Sequence, residues 1–373
     1  MDDSGHKSYV LATGGAGRSV LVCPALAGRV MGTSYDGEPG TFGGWIDVKA
    51  FQEGINDIWD NWGGEERYWL CPEGGQFGLM FESLPNTFDN YRVQDGINNQ
   101  AYEVVDTSNQ GDSLTMRAEF EMVNAARTRF RVRSTRRITA LDESPCVLGS
   151  GDGVECVGFQ SESMLTNIGS APWTKDTGCL AHWHLGQFVL GPRVIAIVPY
   201  RQGPFADPPI RRDYFERFCI GGVMPENRHS VKDGVALFRA DGKVRTKIGQ
   251  NRSRALGILG SYNLDTDEII LMQYDFYPTL EYAASYWYEQ PEPYNGDCIS
   301  LSAEGPDKPG GPEGRCYELE SMSPALLLER GQSFTFRTRT VHIRGPRRAM
   351  AGICRGHFGV EVAALEDFDR RSS

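Results

Sequence analysis

From residue 113 to 123 the chain reads SLTMRAEFEMV, in which Leu114, Met116, Ala118, Phe120 and Met122 alternate with Thr115, Arg117, Glu119 and Glu121. A period of two puts alternate side chains on opposite faces of an extended chain, so this segment predicts a half-buried strand. The next stretch, ARTRFRVRSTRR, repeats the pattern with Arg127, Arg129, Arg131 and Arg133 facing away from Phe130 and Val132. Such arginines stand about 7 Å apart along a strand and are ordinarily solvated or paired with acids on the neighbouring strand, so the stripe predicts a surface rather than an anion site.

Further extended segments are expected at 18–23, 28–33, 66–70, 77–83, 101–106, 154–165, 179–190, 193–198, 235–240, 243–249, 255–260, 268–276, 297–303, 315–320 and 333–343. Many are parted by turn formers such as Glu-Pro-Gly, Asp-Gly-Lys and Gly-Pro. A helical period occurs in HFGVEVAALEDFD at 357–369, where Phe358, Val362, Leu365 and Phe368 share one side, and a shorter helix is expected within 50–60. No βαβ alternation is sustained. The pattern therefore predicts an all-β chain: one large β-sandwich domain over 1–373, since neither irregular stretch, 200–230 or 305–315, reads as a linker.

Charge narrows the choice of partners. With 49 acidic against 38 basic residues the formal charge is -11, which argues against nucleic acid or an anionic membrane surface. No segment approaches eighteen uninterrupted apolar residues, and MDDSGHKSYVL has neither a basic start nor an apolar stretch. A cytoplasmic protein is expected, periplasmic or secreted if a signal peptide has been removed, as a monomer or small homo-oligomer. Nine scattered cysteines without a C-x-x-C pair suit buried thiols better than a disulfide framework; Cys146 and Cys156 are the nearest pair.

Candidate chemistry gathers in three places. In NWGGEERYWLCPEGGQFGLMFES, 61–83, Glu66, Tyr68 and Leu70 share one strand parity and Arg67 and Trp69 the other, while the Pro72-Glu73-Gly74-Gly75 turn re-aims Glu73 and Gln76. The donor fork of Arg67 suits a hydroxyl or carboxylate, and Trp69 or Tyr68 suits the apolar face of a sugar. In QYDFYPTLEYAASYWYEQPEPYNGDC, 273–298, aromatic residues including Trp287 are mixed with Asp275, Glu281, Glu289 and Asp297, a composition matched to a pyranose with its C–H face and rim of hydroxyls. Between 316 and 345, Glu318 and Glu320 share a strand face ahead of the SMSP turn, where a rigidly mounted carboxylate suits a general base. His182 and His184 of HWH also share a face, but Leu185 to Phe188 supply no nearby carboxylate, so no metal is expected there.

These segments together resemble the galactose mutarotase-like superfamily, and within it a bacterial branch with a GGE-R-W-x-x-PEGG segment early and an E-x-E-S-x-SP segment late. The matching residues are Gly63-Gly64-Glu65, Arg67, Trp69, Pro72-Glu73-Gly74-Gly75, Glu318, Glu320, Ser321, Ser323 and Pro324. LTNIG at 165–169, QYDF at 273–276 and the run from Trp287 to Asp297 keep the same order. The resemblance spans about 15–345 and leaves 346–373 as a C-terminal extension. It implies a supersandwich of large antiparallel sheets with a sugar-sized pocket on a concave face. It implies further that Glu320 is the general base toward the anomeric hydroxyl, that His182 or His184 is the acid toward the ring oxygen, and that Arg67 orients substrate. HSYFN-like surroundings of the acid are absent, and Glu304 of Ala303-Glu304-Gly305-Pro306 stands where the branch carries N-D-G-P.

The expected activity is aldose 1-epimerase-like isomerisation, with Glu320 and His182 or His184 exchanging protons. Substrate, a sugar or glycan end, would meet Arg67, Trp69, Glu73, Gln76, Asp275, Trp287 and Glu304. Ring opening and closure need only paired proton transfers, so no cofactor is expected. Two other expectations stand beside it: a sugar-binding module without turnover, and a lyase or hydrolase of acidic glycans, which would need the arginine stripe to face the pocket.

Overall fold

Alternation becomes pairing in the computed structural model, which describes residues 7–12, 17–37, 43–55, 61–81, 84–141, 153–212, 214, 224–306 and 310–372. β1 (Tyr9–Ala12), β2 (Ser19–Cys23) and β3 (Arg29–Ser34) form a small antiparallel sheet. After α1 (Val48–Glu53), β4 (Arg67–Cys71) and α2 (Asp95–Asn98) comes a meander of longer strands, β5 (Glu103–Thr107), β6 (Ser113–Val123), β7 (Arg129–Leu141) and β8 (Glu155–Asn167). β9 (Ala181–Val189), β10 (Val194–Pro199), β11 (His229–Lys232), β12 (Val235–Arg239), β13 (Thr246–Asn251), β14 (Ile258–Asn263) and β15 (Glu268–Tyr274) follow. β16 (Asp297–Ala303), β17 (Cys316–Met322), β18 (Ser333–Arg344), α3 (Arg347–Phe358) and α4 (Val362–Ser372) complete the order.

A ten-stranded sheet runs β11-β12-β10-β14-β15-β18-β8-β7-β6-β5, and a five-stranded sheet runs β13-β16-β17-β9-β4. All their pairings are antiparallel. Phe188, Tyr317 and Leu319 of the smaller sheet pack against Leu259, Met272 and Phe336 of the larger, so the main core lies between the two. This is the supersandwich that the resemblance implies.

The outer face of the large sheet is covered at one end and bare at the other. Ile353, Cys354 and Phe358 of α3 and Leu365 of α4 bury against Ile195, Leu237, Tyr262 and Ile343. At the bare end the arginine stripe meets glutamates on neighbouring strands: Arg133 Nε lies 2.7 Å from Glu119, and Arg129 pairs with Glu121. Arg337 of β18 likewise lies 2.7 Å from Glu162. Exposed pairs of this kind contribute about 0–1 kcal/mol each, so they set strand register and solubility more than stability.

Two expected elements differ. The single helix over 357–369 is two helices, because the chain enters the left-handed region at Gly359 (φ 69) and bonds its N–H to Arg355 O, closing α3. The expected strand over 77–83 is a turn: Leu79 N and Met80 N bond back to Pro72 O and Glu73 O, and only Phe81 bridges, to Tyr91. Residues 82 and 83 lie outside the described residues, as do 56–60 of the expected helix, whose described part is α1. Seven cysteines, among them Cys156, are buried and form no disulfide among the described residues; Cys146 is outside the described residues. Among the described residues no helix is long and apolar enough to cross a membrane.

Candidate functional site

The register of the five-stranded sheet sorts its side chains. One row across it is Arg67, Leu185, Glu320, Ser300 and Gly249, and the row beside it is Gln187, Glu318, Ser302 and Lys247. Directly paired residues of an antiparallel ladder share a face. Arg67, Trp69, Trp183, Gln187, Lys247, Glu318 and Glu320 thus stand together on the face turned away from the large sheet, and Tyr68, Leu70, His182 and His184 stand on the face turned toward it.

The outer face carries a bonded charge cluster. Arg67 donates to Glu318 Oε1 at 2.7 Å, and Gln187 Nε2 donates to the same oxygen at 3.1 Å. Trp183 Nε1 donates to Glu320 Oε2 at 2.9 Å, and Lys247 Nζ approaches Glu320 Oε1 and Oε2 at 3.2 and 3.5 Å. The guanidinium of Arg67 lies over Trp69 at 4.0 Å, and Trp69 meets Trp183 edge-on at 5.7 Å. Glu320 lies inside β17 rather than at its end, because the strand continues to Met322.

The turn after β4 and the segment before β16 build the wall. Glu73 accepts from Tyr91 OH at 3.3 Å and from the Trp287 indole, while Trp287 packs edge-on against Phe81 at 5.1 Å. Tyr214 OH and Tyr286 OH both donate to Asp297 Oδ2 at 3.0 Å, and Lys247 lies 5.7 Å from the Tyr214 ring. Burial raises the Glu73 carboxyl, only partly offset by Lys247, Trp287 and Tyr91. Burial also raises Glu318 against the pull of Arg67. It lowers the Lys247 ammonium, but Glu320, Glu73 and Glu318 outweigh it and hold that group above the ordinary lysine value.

This face keeps bonding capacity in reserve. Arg67 Nε, Trp69 Nε1 and Gln187 Oε1 are buried without a protein partner, and Arg67 and Trp69 are only 7% and 5% exposed. Buried polar atoms cost free energy when unpaired, so two donors and an acceptor beside carboxylates and indoles suit the hydroxyls of a bound molecule.

The histidines belong to another layer. His182 Nδ1 lies 2.8 Å from Tyr68 OH, and the ring stacks on Phe336 of the large sheet. His184 Nδ1 donates to Glu66 Oε2 at 2.8 Å, and Glu66 also accepts from Ser161 Oγ at 2.6 Å, Thr338 Oγ1 at 2.8 Å and Arg136. Burial lowers His182 and His184; burial raises Glu66, but His184, Arg136 and Ser161 outweigh it and bring that carboxyl down to about 2. His342 completes the layer, 3.1 Å from Glu65 and 3.4 Å from Glu268. Gly43 crosses directly over it, where a Cβ would come within 2.3 Å of His342 Cε1. His182 and His184 share a strand face, as their spacing requires, and β9 itself separates that face from Glu320. Among the described residues no group of three or more His, Cys, Asp or Glu is arranged to hold a metal.

The remaining site candidates divide. Arg67, Trp69, Glu73 and Trp287 join Glu320. Gln76 instead bonds Gln290 O at 2.7 Å and accepts from Gln290 N at 3.0 Å, and it lines a shallow cleft with Pro72, Phe77 and Tyr294. Asp275 caps β15 and binds Arg337, with its Oδ2 at 3.2 Å from the Arg337 N–H, away from the cluster. Glu304 sits at the rim, paired with Arg315 at 3.1 Å. Sequence reasoning missed Lys247; its only signal was a charged residue alternating with Ile248 inside an expected strand. Gln187 and Trp183 were equally legible as face-mates, three and one residues from the histidines that drew attention.

Beyond this chain, no curated protein matches it. A solved structure of a candidate aldose 1-epimerase from Escherichia coli K12 superposes with a TM-score of 0.52 at 15% identity, covering 92% of this chain and 100% of that one. The Slr1438 protein of Synechocystis sp. PCC 6803 superposes with a TM-score of 0.52 at 12% identity, covering 91% and 96%. A galactose mutarotase-like protein of Lactobacillus casei ATCC 334 shares 12% identity at a TM-score of 0.47, over 90% of this chain and 100% of that one. At these identities the likeness is one of fold, and fold alone carries no reaction. A family model described as a family of unknown function, DUF6786, matches residues 3–368, and the chain therefore belongs to that family, built on a galactose mutarotase-like supersandwich.

Proposed function

We propose that the outer face of the five-stranded sheet is a carbohydrate site and that the protein is an aldose 1-epimerase-like isomerase in which Glu320 takes the anomeric proton. The observation that carries this reading is the pair of neighbouring carboxylates, Glu318 and Glu320, fixed by Arg67, Gln187, Trp183 and Lys247 among three indoles. Indole faces suit the C–H face of a pyranose, and the unpaired Arg67 Nε, Trp69 Nε1 and Gln187 Oε1 suit its hydroxyls. A carboxylate held by fixed donors is pre-oriented as a base, so little reorganisation is needed when it accepts a proton.

The test is anomer exchange, followed by NMR or optical rotation on freshly dissolved α-hexoses and α-pentoses, with wild type and Glu320→Gln compared against buffer. Gln nearly keeps the volume and the bonds from Trp183 but cannot take a proton as a carboxylate does. A loss of about 10²-fold or more in the catalysed rate is expected, with sugar binding retained. Equal rates in both proteins would remove Glu320 as the base.

A second reading, a sugar-binding module without turnover, is favoured by one observation: the histidines expected to protonate the ring oxygen, His182 and His184, face the opposite side of β9. Sugar binding by both proteins with acceleration by neither would select it. The reading as a lyase or hydrolase of acidic glycans finds no support in the arginine stripe, which lies exposed on the large sheet against Glu119 and Glu121.

A further inference from the structure

We infer that Glu73 is the proton donor of this site, the carboxylic acid that serves the ring oxygen where a histidine was expected. The inference rests on the epimerase reading above and deepens it.

The environments of the three carboxyl groups differ in kind. Glu318 has a guanidinium at 2.7 Å and Glu320 an ammonium at 3.2 Å. The bonds that Glu73 makes among the described residues come from neutral donors, Tyr91 OH and the Trp287 indole, inside a wall of Phe81, Tyr91 and Trp287 rings. Its residue is only 6% exposed. A buried carboxyl with neutral partners favours its uncharged form, whereas one bonded to a cation favours its charged form. An acid and a base working at one pH need carboxyl groups with different surroundings, and Glu73, bonded by neutral donors, and Glu320, bonded by an ammonium, have them. Burial raises Glu73, and the Lys247 ammonium lowers it by less than burial raises it; burial raises Glu318 as well, so what sets Glu73 apart is its neutral bonding partners.

Position agrees with the role. Glu73 lies two residues past the end of β4, whose Arg67 and Trp69 stand in the cluster, and its backbone N–H is tied at 3.3 Å to Ser285 Oγ on the segment that carries Tyr286 and Trp287. It therefore belongs to the wall, while Glu320 belongs to the floor. The Lys247 ammonium, bonded to Glu320, also acts on Glu73, so the two carboxyl groups share one cation.

The step balances with these two groups alone. Glu320 takes the proton from the anomeric hydroxyl and the C1=O1 double bond forms. The C1–O5 bond breaks, and its electron pair stays on O5, which takes the proton of Glu73. After rotation about C1–C2, O5 attacks the other face of C1, its proton returns to Glu73, and O1 recovers the proton held by Glu320. Neither oxidant nor cofactor enters.

Two measurements on the full chain test this. The first is infrared difference spectroscopy at about pH 6, where an ordinary exposed glutamate is ionised. Wild type should show a carboxylic-acid carbonyl component that Glu73→Gln loses and that Glu318→Gln retains. The second is anomer exchange on freshly dissolved α-D-glucose, α-D-galactose and α-D-xylose, in which Glu73→Gln should lose about 10²-fold or more. In wild type the rate should fall as pH rises and Glu73 gives up its proton. A wild-type rate retained in Glu73→Gln overturns the donor assignment and leaves the epimerase reading standing, and so does the lack of a Glu73 carbonyl band. No exchange by wild type on any sugar overturns the epimerase reading and the donor role with it.

Discussion

His342 gives the layer between the sheets a pH signature. Its imidazole is 1% exposed and lies between Glu65 and Glu268, 3.1 and 3.4 Å away. Burial lowers it, but the two carboxylates outweigh burial and raise it to about 10. In the unfolded chain a histidine titrates near about 6.5, so between about pH 6.5 and 10 the folded protein holds one proton more than the unfolded one. Because the folded value is the higher, the stabilisation is complete below about pH 6.5 and is lost as pH rises toward 10. At about 1.4 kcal/mol per unit, these values give a contribution of about 4 kcal/mol at pH 7 and about 2 kcal/mol at pH 8.5. The perturbation is His342→Gln, which keeps hydrogen bonding and removes the charge. Urea denaturation of both proteins at those two pH values should show the stability gap between them narrowing by about 2 kcal/mol. The other histidines and the buried thiols titrate in both proteins and cancel in the difference. A gap that stays constant with pH would mean that His342 is not held charged between Glu65 and Glu268.

Two substitutions probe the site. Arg67→Ala leaves the partly buried Glu318 without its guanidinium and should cost about 1–3 kcal/mol by chemical denaturation, with Arg67→Ala/Glu318→Gln recovering much of the loss. A double variant no more stable than the single one would show that the stranded carboxylate is not the cause. Trp287→Ala removes a ring packed on Phe81 and Tyr91, so stability should fall by about 3–5 kcal/mol and sugar affinity, by calorimetry, by about 1–3 kcal/mol. An unchanged dissociation constant in the folded variant removes Trp287 from the site.

Local alternation in the sequence determines which residues share a face, because a strand's side chains repeat every two residues wherever the strand is placed. That is why Arg67 separates from Tyr68, why His182 and His184 travel together, and why the arginines of β7 emerge on one surface, where Glu119 and Glu121 of β6 meet them. Period two is silent on which face turns inward when both carry apolar and polar groups. In β9 every residue from Ala181 to Phe188 is buried, so the burial pattern gives no direction. Only the stacking of the two sheets decided that Trp183 faces Glu320 while His182 and His184 face Phe336 and Glu66. The same holds for partners distant in sequence. Lys247 reaches Glu320 only because β13, β16 and β17 lie side by side in one register, and Asp275 leaves the site only because β15 lies beside β18 and its Arg337. Strand order is fixed by burial and backbone bonding summed over whole sheets, and no window of the chain contains that sum.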